Sequence, residues 1–281
     1  MINKNICINL FTNNFRSINI IKLLIKKFKI KNIFLAKKNL SSKLLDFLKK
    51  NKIKYTTINK INHPIISKSI KENKLINVVC GFPYFFPLEF IQSSKNPIIN
   101  CHGGNLPNYR GGSTLSWQII NNEKNIYIST LEISQGIDDG KILLKKHFRL
   151  KTNMNILDVQ NKANSIFPKL VVDSINLILN KKKLKPQIGM VKVYKQRFPE
   201  NSFFNPKNTK YSELRNLHRA TFPLYCPPFF VKKKKFIYIE DFEITNLKKD
   251  NKKFKNQIFL KIKNANIVIN KYKTKNIIWK F

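Results

Sequence analysis

With 281 residues, 42% of them hydrophobic, the chain can build one large domain or two moderate ones and is too apolar for wholesale disorder. Its 54 Lys and Arg against 15 Asp and Glu leave a formal charge of +39, a balance that suits a polyanion such as nucleic acid, or an anionic membrane surface, or else records compositional drift. The lysines are scattered through every segment among Asn and Ile rather than gathered on one helix or arm, which favours drift, although so positive a field would still attract phosphorylated substrates. Cys7, Cys80, Cys101 and Cys226 have no paired spacing, so neither a metal centre nor a disulfide framework is indicated, and a reducing cytoplasm is the expected location. No apolar run approaches the roughly 18 residues that span a bilayer, and no signal peptide is visible, so no membrane partner is expected.

The first two-thirds of the chain alternate strand and helix patterns. Ile6–Phe11 reads as a buried strand, Thr12-Asn13-Asn14 as a turn or helix cap, and Ser17–Phe28 as a helix with lysines between its apolar positions. A strand at Ile33–Ala36, a helix at Ser41–Lys50, a strand at Ile53–Thr57 and a helix opening at His63-Pro64 follow. Leu75–Cys80 is a continuous apolar strand that runs into the aromatic loop Gly81–Pro87, and Pro97–Cys101 is the next strand. Then come a helix at Thr114–Asn121, strands at Ile126–Ile133 and Ile142–Phe148, and a long amphipathic helix within Asn155–Leu179. This alternation predicts a Rossmann-like α/β domain, a mainly parallel sheet covered by helices on both faces, which binds ligands outside the carboxyl ends of its strands.

Lys181–Pro186 reads as the exit from that domain. Beyond about residue 195 the pattern changes to a short helix at Tyr211–Ala220. Strands follow at Phe229–Val231, Phe236–Phe242, Gln257–Ile262, Asn266–Asn270 and Ile277–Trp279. The expected organisation is therefore a catalytic domain over 1–185 and a small β-rich, open-barrel-like domain over 195–281.

The stretch Asn100–Gly112 carries the chemistry. Asn100 and His102 are two residues apart on a strand and so project from one face into one cleft. An asparagine amide can stabilise a developing oxyanion, and an imidazole can move a proton near neutral pH. The glycine-flanked turn Gln135-Gly136-Ile137-Asp138-Asp139-Gly140 offers a carboxylate that can orient the imidazole or relay protons. Amide, imidazole and carboxylate together suit acyl transfer to an amine.

The run Asn100-Cys101-His102-Gly103-Gly104-Asn105-Leu106-Pro107-Asn108-Tyr109-Arg110-Gly111, then Trp117 and Gly136-Ile137-Asp138-Asp139-Gly140-Lys141-Ile142-Leu143, resembles the 10-formyltetrahydrofolate-dependent formyltransferases. Their pattern is Asn-x-His, Leu-Pro-x-Tyr-Arg-Gly and Gly-Ile-Asp-x-Gly-x-Ile-Leu. The resemblance covers residues 75–150 well. It implies that Asn100 holds the formyl oxygen, that His102 is the general acid/base, and that Asp138 sets the protonation of His102 and orders a proton-shuttling water. Asp139 falls on a variable position and receives no role. The co-substrate 10-formyltetrahydrofolate would lie between the loops Gly81–Pro87 and Gln135–Gly140, with Gln135, Gly136, Ile137 and Gly140 offering backbone groups. Phe82, Tyr84, Phe85 and Phe86 would either wall that cleft or belong to the core. Tyr109, Arg110 and Gly104 are candidates for acceptor binding, Arg110 either gripping a phosphate or bracing the loop.

Two departures bear on the acceptor. Methionyl-tRNA formyltransferases carry a long basic insertion after the second strand, whereas only Lys37-Lys38-Asn39-Leu40 separates Ala36 from Ser41 here. Those enzymes also have Ala-Ala-Pro-Ile-Gln-Arg where this chain reads Gly112-Ser113-Thr114-Leu115-Ser116-Trp117. The sugar N-formyltransferases tolerate such a Trp, and their Asn-His-Pro, Arg-x-Pro-Glu/Asp and Arg-Ala-x-x-x-Pro-Tyr-like elements resemble Asn62-His63-Pro64, Arg197–Glu200 and Arg219–Tyr225. A nucleotide-linked amino sugar is therefore the expected acceptor, methionyl-tRNA the alternative, and a decayed, polyanion-binding scaffold the third reading. A homodimer is compatible with the chain.

Overall fold

The computed structural model describes residues 3–61, 66, 74–246 and 257–276. The chain forms two compact units, each assembled from separate stretches. The first comprises Met1–Gly111, Tyr127–Phe148 and Asn161–Tyr194, and the second Gly112–Ile126, Arg149–Gln160 and Lys195–Phe281.

The sheet of the first unit has the order β3-β2-β1-β4-β5-β7-β8. Its strands are β1 (Asn3–Thr12), β2 (Phe28–Ala36), β3 (Thr56–Ile58), β4 (Leu75–Cys80), β5 (Ile99–His102), β7 (Asn125–Glu132) and β8 (Ile142–Arg149), while β6 (Arg110–Gly111) pairs separately with β9 (Val193–Tyr194). The pairs β2–β3, β1–β2, β1–β4 and β4–β5 are parallel. β4 is buried along its whole length, as a central strand covered on both faces must be. The mainly parallel sheet expected from the alternation is present, with one consequential departure in strand direction: β7 runs antiparallel to β5.

Register across the central strands is pinned by amides. Asn32 donates to Asn9 at 2.8 Å, Asn9 to Asn77 at 3.1 Å, and Asn77 to Ser94 Oγ at 3.2 Å. Asn9 and Asn77 are fully buried, so a one-residue slip would orphan every one of these groups.

Element boundaries moved where a cap or an edge intervened. Ile53 does not begin a strand; its N–H closes the preceding helix on Leu48 O at 2.9 Å, and the strand starts at Thr56. β2 begins at Phe28 rather than Ile33, because its first half is a partly exposed, lysine-bearing ribbon. The helix expected at His63-Pro64 and the strand expected at Ile277–Trp279 lie outside the described residues.

In the second unit, β10 (Phe229–Lys232), β11 (Lys235–Thr245), β13 (Ala265–Asn276) and β12 (Ile258–Ile262) form an antiparallel sheet in that order. Phe230, Ile237, Ile239, Ile267 and Ile269 supply its core together with Leu214 of the helix Tyr211–Thr221. β13 runs well past Asn270, since its polar half, Lys271–Asn276, finds a partner in β11. Arg219 is buried and donates to the carbonyls of Met154 at 2.8 Å and Lys151 at 3.1 Å. This arginine of the Arg-Ala-x-x-x-Pro-Tyr-like element therefore ties segments of its own unit together.

Candidate active site

Asn100 and His102 project from β5 as the two-residue period requires. Because β7 runs antiparallel to β5, with Ile99 opposite Glu132 and His102 opposite Ser129, the chain leaves β7 at the beginning of β5. The loop Gln135–Gly140 then returns to bring Asp138 onto both polar side chains. Asn100 Nδ2 donates to Asp138 Oδ1 at 3.1 Å, His102 Nδ1 lies 3.3 Å from Asp138 Oδ2, and the Gly111 N–H donates to the same oxygen at 2.9 Å. One carboxylate thus joins the amide, the imidazole and a backbone donor.

The other ring nitrogen fixes the tautomer. His102 Nε2 lies 2.5 Å from the Tyr109 carbonyl, which can only accept, so Nε2 carries a hydrogen and Nδ1 is the nitrogen that faces Asp138. The His102 side chain is 7% exposed and that of Asp138 15%, so the carboxylate is the outward member of the pair. Asp138 also has φ of +47°, a left-handed conformation that costs a non-glycine residue about 1 kcal/mol or more. External hydrogen bonds hold it there: Gln187 Nε2 donates to the carbonyls of Asp138 at 2.7 Å and Gly140 at 2.8 Å.

Several candidates reach the site through their backbone. Tyr109 is 1% exposed and its ring stacks on Tyr194 with centroids 4.8 Å apart; it contributes its carbonyl. Gly104 is buried, its carbonyl accepts from Ser129 Oγ at 2.8 Å, and a Cβ added there would overlap Tyr109 O and His102 Nε2 and lie 2.8 Å from His102 Cδ2. Gly104→Ala is expected to lower stability by about 1–3 kcal/mol through overpacking and kcat by about tenfold through ring displacement. Thermal melting and steady-state kinetics check both, and an alanine variant unchanged in both would show that the ring has room to spare. Arg110 donates from Nε to Gln187 Oε1 at 3.0 Å, which braces the loop. Gly111 has φ of +88°, and its missing Cβ makes room for Tyr194 O.

In the Gly81–Pro87 loop, Phe82 and Phe86 stand edge-on to Phe11 at 5.6 and 5.2 Å, and Tyr84 packs on Phe82 at 5.5 Å. These half-buried rings belong to the core cluster of Phe11, Phe34 and Phe90 on one side, while Phe85 is 87% exposed. Gln135, Gly136 and Ile137 are exposed and Gly140 is buried. Asp139 accepts from Ser134 Oγ and closes the turn.

Three supporting groups escaped the sequence reading. Gln187 joins Arg110 to the Asp138 loop. Lys145 Nζ donates to Asn105 Oδ1 at 2.7 Å and Leu106 O at 2.9 Å, and burial pushes its ammonium below the ordinary lysine range. Cys80 and Cys101 pair on adjacent strands; the Cys101 thiol donates to Cys80, which raises Cys101 well above and lowers Cys80 below the usual thiol value. Among the described residues no His, Cys, Asp or Glu cluster is arranged to hold a metal, and no helix is long and apolar enough to cross a membrane.

Within the second unit, two elements quoted separately from the sequence meet. The Arg197 guanidinium lies 4.8 Å from the Trp117 ring centroid, Trp117 Nε1 donates to Lys195 O at 3.0 Å, and the Arg197 N–H donates to Ser113 Oγ at 3.1 Å. A cavity of about 290 Å³ opens beside them, bounded by Ser113, Arg197, Phe198 and Tyr225 among others. Burial lowers the Arg197 pKa from its ordinary value.

Residues 17–175 match the profile of the formyl transferase family. A methionyl-tRNA formyltransferase of Thermodesulfovibrio yellowstonii is 29% identical over 170 residues, which is 58% of this chain and 54% of that protein. The chain thus spans about half the length of this curated relative. Among solved structures, an N-formyltransferase of Helicobacter canadensis in complex with folinic acid and dTDP-3-aminofucose superposes with a TM-score of 0.68 at 21% identity, covering 96% of this chain and 99% of that one. A methionyl-tRNA formyltransferase of Clostridium thermocellum gives 0.60 at 19% identity, with 96% and 99% covered. At these identities the superpositions speak for the fold.

Proposed function

Because the chain belongs to the formyl transferase family, we propose that it moves a formyl group from 10-formyltetrahydrofolate to a primary amine. The observation that carries this reading is the Asp138 carboxylate shared by Asn100, His102 and Gly111. The amine nitrogen attacks the formyl carbon, and the carbonyl oxygen becomes the oxyanion of a tetrahedral intermediate. Asn100 gives one amide hydrogen to Asp138 and has a second for the oxyanion. The attacking nitrogen loses a proton to the Asp138–His102 pair, N10 gains one, and the carbon–N10 bond breaks to leave a formamide and tetrahydrofolate.

The acceptor we favour is an amino sugar carried on a nucleotide. Support comes from the connection Lys37–Leu40, a tight turn held by Lys37 N on Ile58 O and Ser41 N on Asn13 O, each at 3.0 Å. It has no room for a tRNA-gripping insertion. Trp117 and its Arg197 partner support the same reading. Methionyl-tRNA is the second reading, favoured by the curated relatives and by the charge of +39. Incubation with 10-formyltetrahydrofolate and either charged initiator tRNA or a panel of dTDP- and GDP-amino sugars separates them. Tetrahydrofolate release is expected with an amino sugar; release with the tRNA alone would overturn the preferred acceptor. Salt-sensitive RNA binding with no release in any arm would instead identify a scaffold without chemistry.

A further inference from the structure

Between the long helix Ile156–Leu179 and β9 lies a strap that the motifs did not absorb. Lys185 is tied to β8 by Ile142 N on Lys185 O at 3.0 Å, and Lys192 to β6 by Arg110 N on Lys192 O at 3.0 Å. Ile188 and Met190 stand 84% and 78% exposed, whereas Gln187 turns inward. Its amide head meets two carbonyls through Nε2, those of Asp138 and Gly140, and one guanidinium N–H through Oε1, that of Arg110. The orientation is unambiguous. A flipped amide would set its oxygen against two carbonyls and its N–H groups against Arg110, so every contact would become repulsive.

We propose that Gln187 is the positioning residue that sets Asp138 against Asn100 and His102, an inference that rests on formyl transfer as the activity of this site. Asp138 holds a left-handed backbone, which carries a steric cost for a residue with a Cβ. Gln187 grips the carbonyl of that very residue and the carbonyl two positions on. Its third bond fastens the grip to Arg110, whose neighbour Gly111 supplies the N–H that Asp138 Oδ2 accepts. The two ends of the carboxylate's environment are thus tied to one side chain. Neither a shorter Asn nor a Lys could replace it, since the head must donate twice and accept once at that reach.

Gln187→Glu separates positioning from bracing. Glutamate keeps the length and strengthens the contact to Arg110, but it sets a carboxylate against the carbonyls of Asp138 and Gly140. A side chain that only braced Arg110 would tolerate the change. A side chain that aims Asp138 would not: kcat is expected to fall at least about tenfold, with KM for folate and amine within about threefold of wild type. The Gly111 amide reports the same event without turnover, because it should lose its Asp138 partner and exchange its hydrogen at least about tenfold faster by NMR. If Gln187→Glu does not fold, Gln187→Met is measured by the same two readouts, with the same losses expected. Wild-type kcat, or a lowered kcat with Gly111 still protected, would overturn the proposal. A wild-type protein that transfers no formyl group, while Gly111 is deprotected in the variant, would refute the formyl reading and leave the positioning role standing.

Discussion

His102→Ala is expected to lower kcat for tetrahydrofolate release by at least about a hundredfold, the usual size of an acid–base contribution. The ring is buried, with Nε2 on the Tyr109 carbonyl and Nδ1 facing Asp138. Truncation therefore removes the proton carrier and also takes away the Nε2 contact to the Tyr109 carbonyl in a buried place, which should lower thermal stability. A second variant separates these losses. Gln at position 102 can still donate to Tyr109 O but cannot carry a proton. His102→Gln should recover much of the stability and none of the rate, with KM for the folate little changed. If His102→Gln instead turned over at near the wild-type rate, the imidazole would be a brace for the Tyr109 loop and the proposed proton transfer would be wrong.

How far the site could be read from sequence follows from which interactions are local. Asn100 and His102 were legible because a strand's two-residue period places them on one face whatever surrounds them. Asp138 was legible only through the family pattern: of two adjacent aspartates in a glycine-flanked turn, nothing local says that Asp138 faces His102 while Asp139 closes the turn on Ser134. That distinction depends on β7 running antiparallel to β5, and strand direction leaves no mark on hydrophobic periodicity. Gln187 was illegible for a stronger reason, since its partners lie 77 residues away at Arg110 and 49 away at Asp138. It sits in a stretch with no apolar period to place it.

The same contrast runs through the fold. Long apolar runs such as Leu75–Cys80 were found at their true bounds. Residues that close a helix, such as Ile53, and the polar continuation of β13 were misjudged, because capping and edge pairing override the local pattern. The aromatic loop was undecidable from sequence for a related reason. Phe82 and Phe86 face the core cluster while Phe85 faces solvent, and a run of aromatics has no internal signal for that split.

Asp138→Asn is expected to cost about a hundredfold to a thousandfold in kcat, more than its small change in shape suggests. The carboxylate accepts from Asn100 Nδ2 on one oxygen and from Gly111 N on the other, with His102 Nδ1 beside the second. A carboxamide must replace one of those oxygens by a donor. If its NH2 faces Gly111, two donors collide and the backbone N–H cannot turn away. If it faces Asn100, that side chain must flip to offer its oxygen, which carries its N–H groups away from the oxyanion position. Either arrangement disturbs a second group of the site, the Gly111 brace or the Asn100 amide, besides removing the proton acceptor. Asp138→Ala removes the acceptor without the donor collision, so Asn should be at least as damaging as Ala despite its closer shape. In the proposed mechanism His102 and Asp138 work as one relay, so the double variant His102→Ala/Asp138→Asn should be little slower than the worse single one. Full multiplication of the two losses would show that the carboxylate and the imidazole act independently, and an Asp138→Asn enzyme within about threefold of wild type would reduce Asp138 to a turn former.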